Sequence, residues 1–231
     1  MTPDPMPNDP MTPDPMTPGA APADVASGLL ATLPPAAASV RGAAFIRLRH
    51  RDVASVAAPA ADTGLTDEAV RDALAVLVRT GTATVDDVGH VVAVGGLSVV
   101  PTAHELVLDG EPFWTWCAFD AVGIPAALRV DAVARTRCGH CGDHLDVTLT
   151  AGQPPAGSLV AGWLPGQACT NVQVDFCPAA NLFCDGTHLA AWRERAGDPP
   201  GRAATLPERT VLGMQVWTDM SGTTSPDTGE H

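Results

Sequence analysis

Cys117 and Asp120 stand three residues apart in Trp116-Cys117-Ala118-Phe119-Asp120. If a helix begins there, the two side chains share one face. Cys117 would then sit at the helix N-terminus, where unpaired N–H groups and the dipole favour a thiolate. Trp114 and Trp116 are placed to shield the pair from water. A thiol beside a carboxyl in a half-dry pocket is a proton-transfer pair: one gives up a proton and the other carries it. Taken alone, C-x-x-D reads more simply as a buried structural cysteine with a surface aspartate. Cys177 closes the strand-like run at 171–176 and precedes Pro178. A thiol at a strand end can face a pocket, although a single such cysteine is more simply a packed core thiol.

Cys138-Gly139-His140-Cys141-Gly142 is a C-x-x-C with glycines, shaped like half of a zinc ribbon. A second C-x-x-C is missing, and Cys177 and Cys184 are not at a zinc-knuckle spacing. Structural zinc through Cys138, Cys141 and two later cysteines stays open. A thioredoxin-like role is weaker, because no βαβ unit surrounds the motif. Cys169 lies in a loop and Cys184 in Leu182-Phe183-Cys184-Asp185-Gly186; neither receives a role. His90, His104, His140, His144 and His188 show no recognisable ligand spacing. There is no H-E-x-x-H, no Gly-rich phosphate loop and no G-x-S-x-G.

The elements that must position these residues divide into two halves. Residues 1–22 are Pro-, Asp- and Thr-rich, with MTPDPM at 1–6 repeated at 11–16, and read as a disordered tail. A helix is expected at 23–33, stopped by Pro34-Pro35, and another within 42–57. After Thr66, Asp67-Glu68 in a first turn suit the helix dipole, and Val70, Leu74, Leu77 and Val78 at helical spacing mark a helix. Strands at 83–85 and 90–94 flank a polar turn. This is the outline of a winged helix-turn-helix over 23–100. Asp67, Glu68 and Asp72 against Arg71 and Arg79 leave its candidate recognition helix little charge for a phosphate backbone, so the module reads as scaffold.

The second half, 101–220, opens with a hairpin, 104–108 and 112–116 around Asp109-Gly110-Glu111. A short helix follows from Cys117, interrupted around Gly123 and Pro125. Strand-like runs come at 130–136, 144–150, 158–164 and 171–176. Helices are expected at 187–196, with Thr187 as N-cap, and at 206–219; residues 221–231 read as a second tail. The fold class is α+β: a winged-helix-like module, then a mostly antiparallel sheet with flanking helices.

The chain of 231 residues is 45% hydrophobic and only 17% charged, with 13 basic residues against 26 acidic and a formal net charge of -13. Every basic residue is arginine. That balance argues against a general nucleic-acid binder and against a protein held on anionic membrane. No run reaches the roughly 18 apolar residues of a membrane span. Met1-Thr2-Pro3-Asp4-Pro5 has neither the basic nor the apolar region of a signal peptide, so a soluble cytoplasmic protein is expected. Its six cysteines, all after residue 116, are then expected to be reduced.

The stretch at 95–128 resembles the core of organomercurial (alkylmercury) lyases. The resemblance rests on Trp114, Trp116, Cys117, Ala118 and Asp120 after a strand ending in Asp109-Gly110, on Asp175-Phe176-Cys177 with Phe183 behind, and on Cys138 in the strand after the helix. It covers roughly 23–220. It implies protonolysis of carbon–mercury bonds to a hydrocarbon and Hg(II), in mercury detoxification, with a winged-helix scaffold. It assigns Cys117 and Cys177 as the mercury-binding thiols, with Asp120 as proton carrier in contact with the metal, and Cys138 as structural. It implies no organic cofactor, an organomercurial substrate, and small thiols or a mercuric reductase as acceptor of Hg(II). Some relatives carry a second cysteine where this chain has Pro178. Cys141 and Cys184 look like additions able to form an auxiliary metal site. The alternative is a non-enzymatic metal-binding or metal-sensing winged-helix protein, which needs the thiols but no proton carrier.

Overall fold

Prolines at 34 and 35 begin a helix here. The computed structural model describes residues 33–53, 55 and 57–220. Helix α1 runs Pro35–Arg49 with Pro35 in its first turn, where a missing N–H costs nothing. It therefore starts earlier than the helix expected within 42–57. The helix expected at 23–33 and both tails lie outside the described residues, Leu33 excepted. Helix α2 is Ala57–Thr63, and α3 is Asp67–Arg79. Thr66 caps α3, its hydroxyl accepting from the Ala69 N–H at 3.2 Å. Val40, Phe45 and Leu48 of α1 and Val70, Leu74 and Leu77 of α3 belong to the buried core.

Two antiparallel sheets follow. Strands β1 (Ala83–Val85), β2 (Val91–Val94) and β3 (Leu97–Ser98) precede β4 (His104–Leu108) and β5 (Glu111–Thr115). With β6 (Ala132–Arg137) and β7 (His144–Leu149) they form a seven-stranded sheet in the order β1-β2-β3-β5-β4-β6-β7. The sheet is continuous across residue 100. A three-stranded sheet is ordered β10-β8-β9, from β8 (Ala161–Pro165), β9 (Leu182–Phe183) and β10 (Gly201–Thr205). A bridge from Cys138 to Leu182 joins the two. The molecule is thus α+β with antiparallel pairing throughout both sheets.

Helix α4, Ala118–Leu128, sits in the middle and is apolar almost all round, with nine buried residues. It runs unbroken through Gly123 and Pro125, contrary to the expected interruption, because packing on every side holds it. Helix α5 is Gly186–Arg195, and its N-cap is Asp185 rather than Thr187: the Asp185 carboxylate accepts from His188 N–H at 2.9 Å. Helix α6, Leu206–Val216, crosses α4 so closely that a Cβ on Gly213 would lie 2.3 Å from the Gly123 Cα. Only glycine permits that crossing. The run at 171–176 is not a strand. Val172–Phe176 forms a π-helical turn, because Asn171 and Asp175 bind nearby backbone N–H groups instead of leaving them to a ladder.

Candidate active site

The end of β5 delivers Cys117 to the N-cap of α4 in extended backbone (φ -149, ψ 170). Trp116 N–H donates to Gly96 O at 3.2 Å, and the Thr115 hydroxyl donates to Cys117 O at 3.0 Å. Asp120 lies one turn on, at the third helical position. Its carboxylate accepts the Cys117 backbone N–H at 3.2 Å, and the two residues form a capping box. Gly96 backs the carboxyl. It has φ +89, and a Cβ there would come within 2.7 Å of Asp120 Cγ.

Cys177 arrives from the far side, at the end of the π-helical turn, with its N–H on Val172 O at 2.9 Å. The turn is tied to the end of α3: Val172 N–H donates to Thr80 O at 3.0 Å, and the Gln173 amide donates to Gly81 O at 3.0 Å. It is also wedged against α4 by the edge-on rings of Phe119 and Phe176, 5.7 Å apart. The sulfurs of Cys117 and Cys177 and a carboxylate oxygen of Asp120 all lie within 4.8 Å of one another, and all three residues are buried. The three sequence-selected residues, distant by up to sixty positions, therefore meet at one point.

Burial raises the Asp120 carboxyl to about 7, against the opposing pull of the Cys117 thiol and backbone, Arg209 and the Trp116 backbone. The Cys177 thiol is pushed far upward by its hydrogen bond with Cys117, then by burial and by the charges of Cys117 and Asp120, so it keeps its proton. A pocket lined by Trp116, Phe119, Asp120, Val172, Trp217 and Met220 opens onto the carboxyl side of this cluster. Arg41 and Thr82 also line it; apart from these and Asp120 its side chains are apolar.

Arg209 was not singled out in the sequence. Its guanidinium is fully buried, donates to Trp163 O at 3.1 Å and Ala180 O at 3.4 Å, and stacks over the Phe119 ring at 5.3 Å. Burial lowers it to about 10, while Cys117 and Asp120 oppose the loss of its charge. It is a buried cation facing two acids, and no short-range motif announces it.

Cys169 is half-buried in the loop before the π-helical turn, its thiol pushed up by burial and by Asp175. Cys138 and Cys141 do not join this cluster. They lie with Cys184, which the sequence offered only as part of an auxiliary metal site, and with His188, for which it showed no ligand spacing. The cue was the C-x-x-x-H spacing of 184 and 188, placed on a helix start.

A family model described as alkylmercury lyase matches residues 97–218, more than half of the chain. An alkylmercury lyase of Bacillus cereus is 22% identical over 157 residues, covering 66% of this chain and 70% of that one. One from Streptomyces lividans is 30% identical over 136 residues, covering 57% and 61%. The structure described as the mercury-bound form of MerB2 superposes with a TM-score of 0.78 at 20% identity, over 86% of this chain and 100% of that chain, so it shares the fold.

Proposed function

The chain belongs to the alkylmercury lyase family and is an organomercurial lyase; from that premise we propose that Cys117, Cys177 and Asp120 carry out the cleavage. The observation that carries this reading is the convergence of two thiols and a carboxyl within 4.8 Å in a buried site. Mercury is a soft cation and thiolate its preferred protein ligand. Cys177 holds its proton, so Cys117 engages the organomercurial first, and its proton leaves with the thiol or halide it displaces. Asp120, ionised, takes the proton of the second thiol as Cys177 sulfur binds mercury. Two sulfurs then press electron density onto the metal and make the attached carbon more basic. Protonated Asp120 gives its proton to that carbon, the carbon–mercury bonding pair becomes the new C–H bond, and Hg(II) remains on the two sulfurs with Asp120 beside it. The apolar pocket wall of Phe119, Trp217 and Met220 suits an alkyl or aryl group and excludes water from the step.

No organic cofactor enters these steps. Free small thiols serve as reductant and as acceptor of Hg(II), and a mercuric reductase is the other acceptor consistent with this chemistry. The helices α1–α3 with β1 and β2 are read as a winged-helix-like scaffold (23–100) that braces the Cys177 turn through α3, with 101–220 as the catalytic unit sharing its sheet. Among the described residues, no helix is long and apolar enough to cross a membrane. A cytoplasmic site of action is the reading that suits free thiols.

Headspace gas chromatography with methylmercury and excess thiol tests the assignment. Wild type is expected to release methane catalytically, and Cys117→Ser, Cys177→Ser and Asp120→Ala to lose it. Release at wild-type rate by any of the three would remove that residue from the mechanism.

A further inference from the structure

The turn between β6 and β7 carries Cys138 and Cys141; the stretch from the end of β9 into the first turn of α5 carries Cys184 and His188. One donor atom from each lies within 4.8 Å of all the others. Cys141 Sγ and Cys184 Sγ are 3.8 Å apart, and Cys138 Sγ and His188 Nδ1 are 3.5 Å apart. Zinc bonds of about 2.3 Å to sulfur and about 2.0–2.1 Å to nitrogen make tetrahedral edges of about 3.8 Å and about 3.5–3.6 Å. The two separations match those edges.

The surroundings fit a bound thiolate. The backbone N–H groups of Cys141, His140 and Cys184 and the His188 ring all point at the Cys138 sulfur. The turn is closed by Gly142 N–H on Cys138 O at 2.9 Å and Cys138 N–H on Asp143 O at 2.8 Å. Gly139 N–H on Leu182 O at 2.9 Å docks it beside β9. Asp185 fixes the backbone of His188, and the His140 ring packs on the His188 ring at 5.1 Å. Two cysteines would suffice for a disulfide. Four convergent donors on two prearranged turns call for a metal, and three sulfurs with one imidazole suit zinc.

We infer that Cys138, Cys141, Cys184 and His188 form a structural zinc site, separate from the mercury-binding cluster, that staples the β6–β7 turn of the large sheet to the β9–α5 junction of the small one. Thiols still protonated release their protons to solvent as the ion binds. The staple fixes one end of the short segment that begins at Cys177, so it also steadies the second mercury-binding thiol.

The test is metal analysis of the full chain, purified under reducing conditions and loaded with Zn2+ alone, then with Co2+ alone. The expected result is about one zinc per chain and a cobalt spectrum with intense tetrahedral bands and thiolate charge transfer. Cys184→Ser should lower zinc retention at least about tenfold, since ligand loss removes a closed structural shell. The double variant Cys117→Ser/Cys177→Ser should retain the zinc. His188→Cys keeps four donors and should also retain zinc, with stronger charge transfer from cobalt, which guards against a Cys184 variant that fails to fold. A wild-type chain that retains no zinc, a weak octahedral cobalt spectrum, or zinc lost with Cys117 and Cys177 but kept without Cys184 would overturn the inference. Zinc content is read independently of methane release, so either result stands apart from the lyase assignment.

Discussion

Asp120 is almost sealed from solvent, and burial lifts its carboxyl to about 7. Its folded value lies above the ordinary 3.8. The folded chain therefore binds this proton more tightly than the unfolded chain, and stability falls as pH rises through the window between those two values. Ionising it in the folded state costs on the order of 4 kcal/mol. Asp120→Asn is accordingly expected to be more stable than wild type at alkaline pH, with the gap closing in acid; urea unfolding across a pH series checks this. Parallel pH profiles for the two proteins would contradict it. In catalysis the sign is opposite, because only ionised Asp120 can take the second thiol's proton. Activity should rise through about pH 7. Arg209 favours the ionised form, so Arg209→Met should move that rise to higher pH, read from the pH profile of kcat/KM. An unmoved midpoint with lower activity would leave Arg209 a purely structural role. At this scale the residues pointed to Cys117, Asp120 and Cys177 through the W-C-A-x-D and F-C pattern of the family resemblance; taken singly, each read more simply as structural. Arg209 was illegible, because its importance comes from partners as far away as Trp163 and Ala180.

Helices α4 and α6 meet glycine to glycine, and the site hangs from that crossing. Gly213→Ala would drive a methyl into the Gly123 backbone. The expected cost is about 1–3 kcal/mol, seen as a lower urea midpoint with unchanged slope. Gly96→Ala combines a positive φ with a clash on Asp120, so it should lower kcat as well as stability. Loss of stability without loss of kcat would mean that Gly96 does not position the carboxyl. Patterned elements could be read from the residues: Asp67-Glu68 opening α3, and the Asp109-Gly110 turn between β4 and β5. One proline misled. Pro35 opens α1, and Pro125 is carried inside α4 by burial. The alternation at 172–176 has the look of a strand, but Asn171 and Asp175 take the backbone hydrogen bonds and wind it into a π-helical turn. Side-chain competition of this kind leaves the apolar pattern unchanged, so periodicity alone does not reveal it.

The whole molecule joins two sheets and a helical module around one buried cluster. Its charge of -13 sets it against phosphate backbones. It should show no shift of duplex DNA in a gel at physiological salt; a salt-sensitive complex would restore the winged-helix binder as a reading. Sheet continuity across residue 100, and the meeting of 138–141 with 184–188, are long-range facts. They follow from strand pairing between distant segments, which composition and spacing do not fix. The central claim is that two thiols hold the mercury while one carboxyl delivers the proton. A single turnover with stoichiometric methylmercury, following methane by gas chromatography and the protein adduct by native mass spectrometry, tests it most directly. Wild type is predicted to release its methane and keep Hg(II) on the chain, while Asp120→Ala keeps an intact methylmercury adduct and releases none. Methane at the wild-type rate from Asp120→Ala would contradict the account.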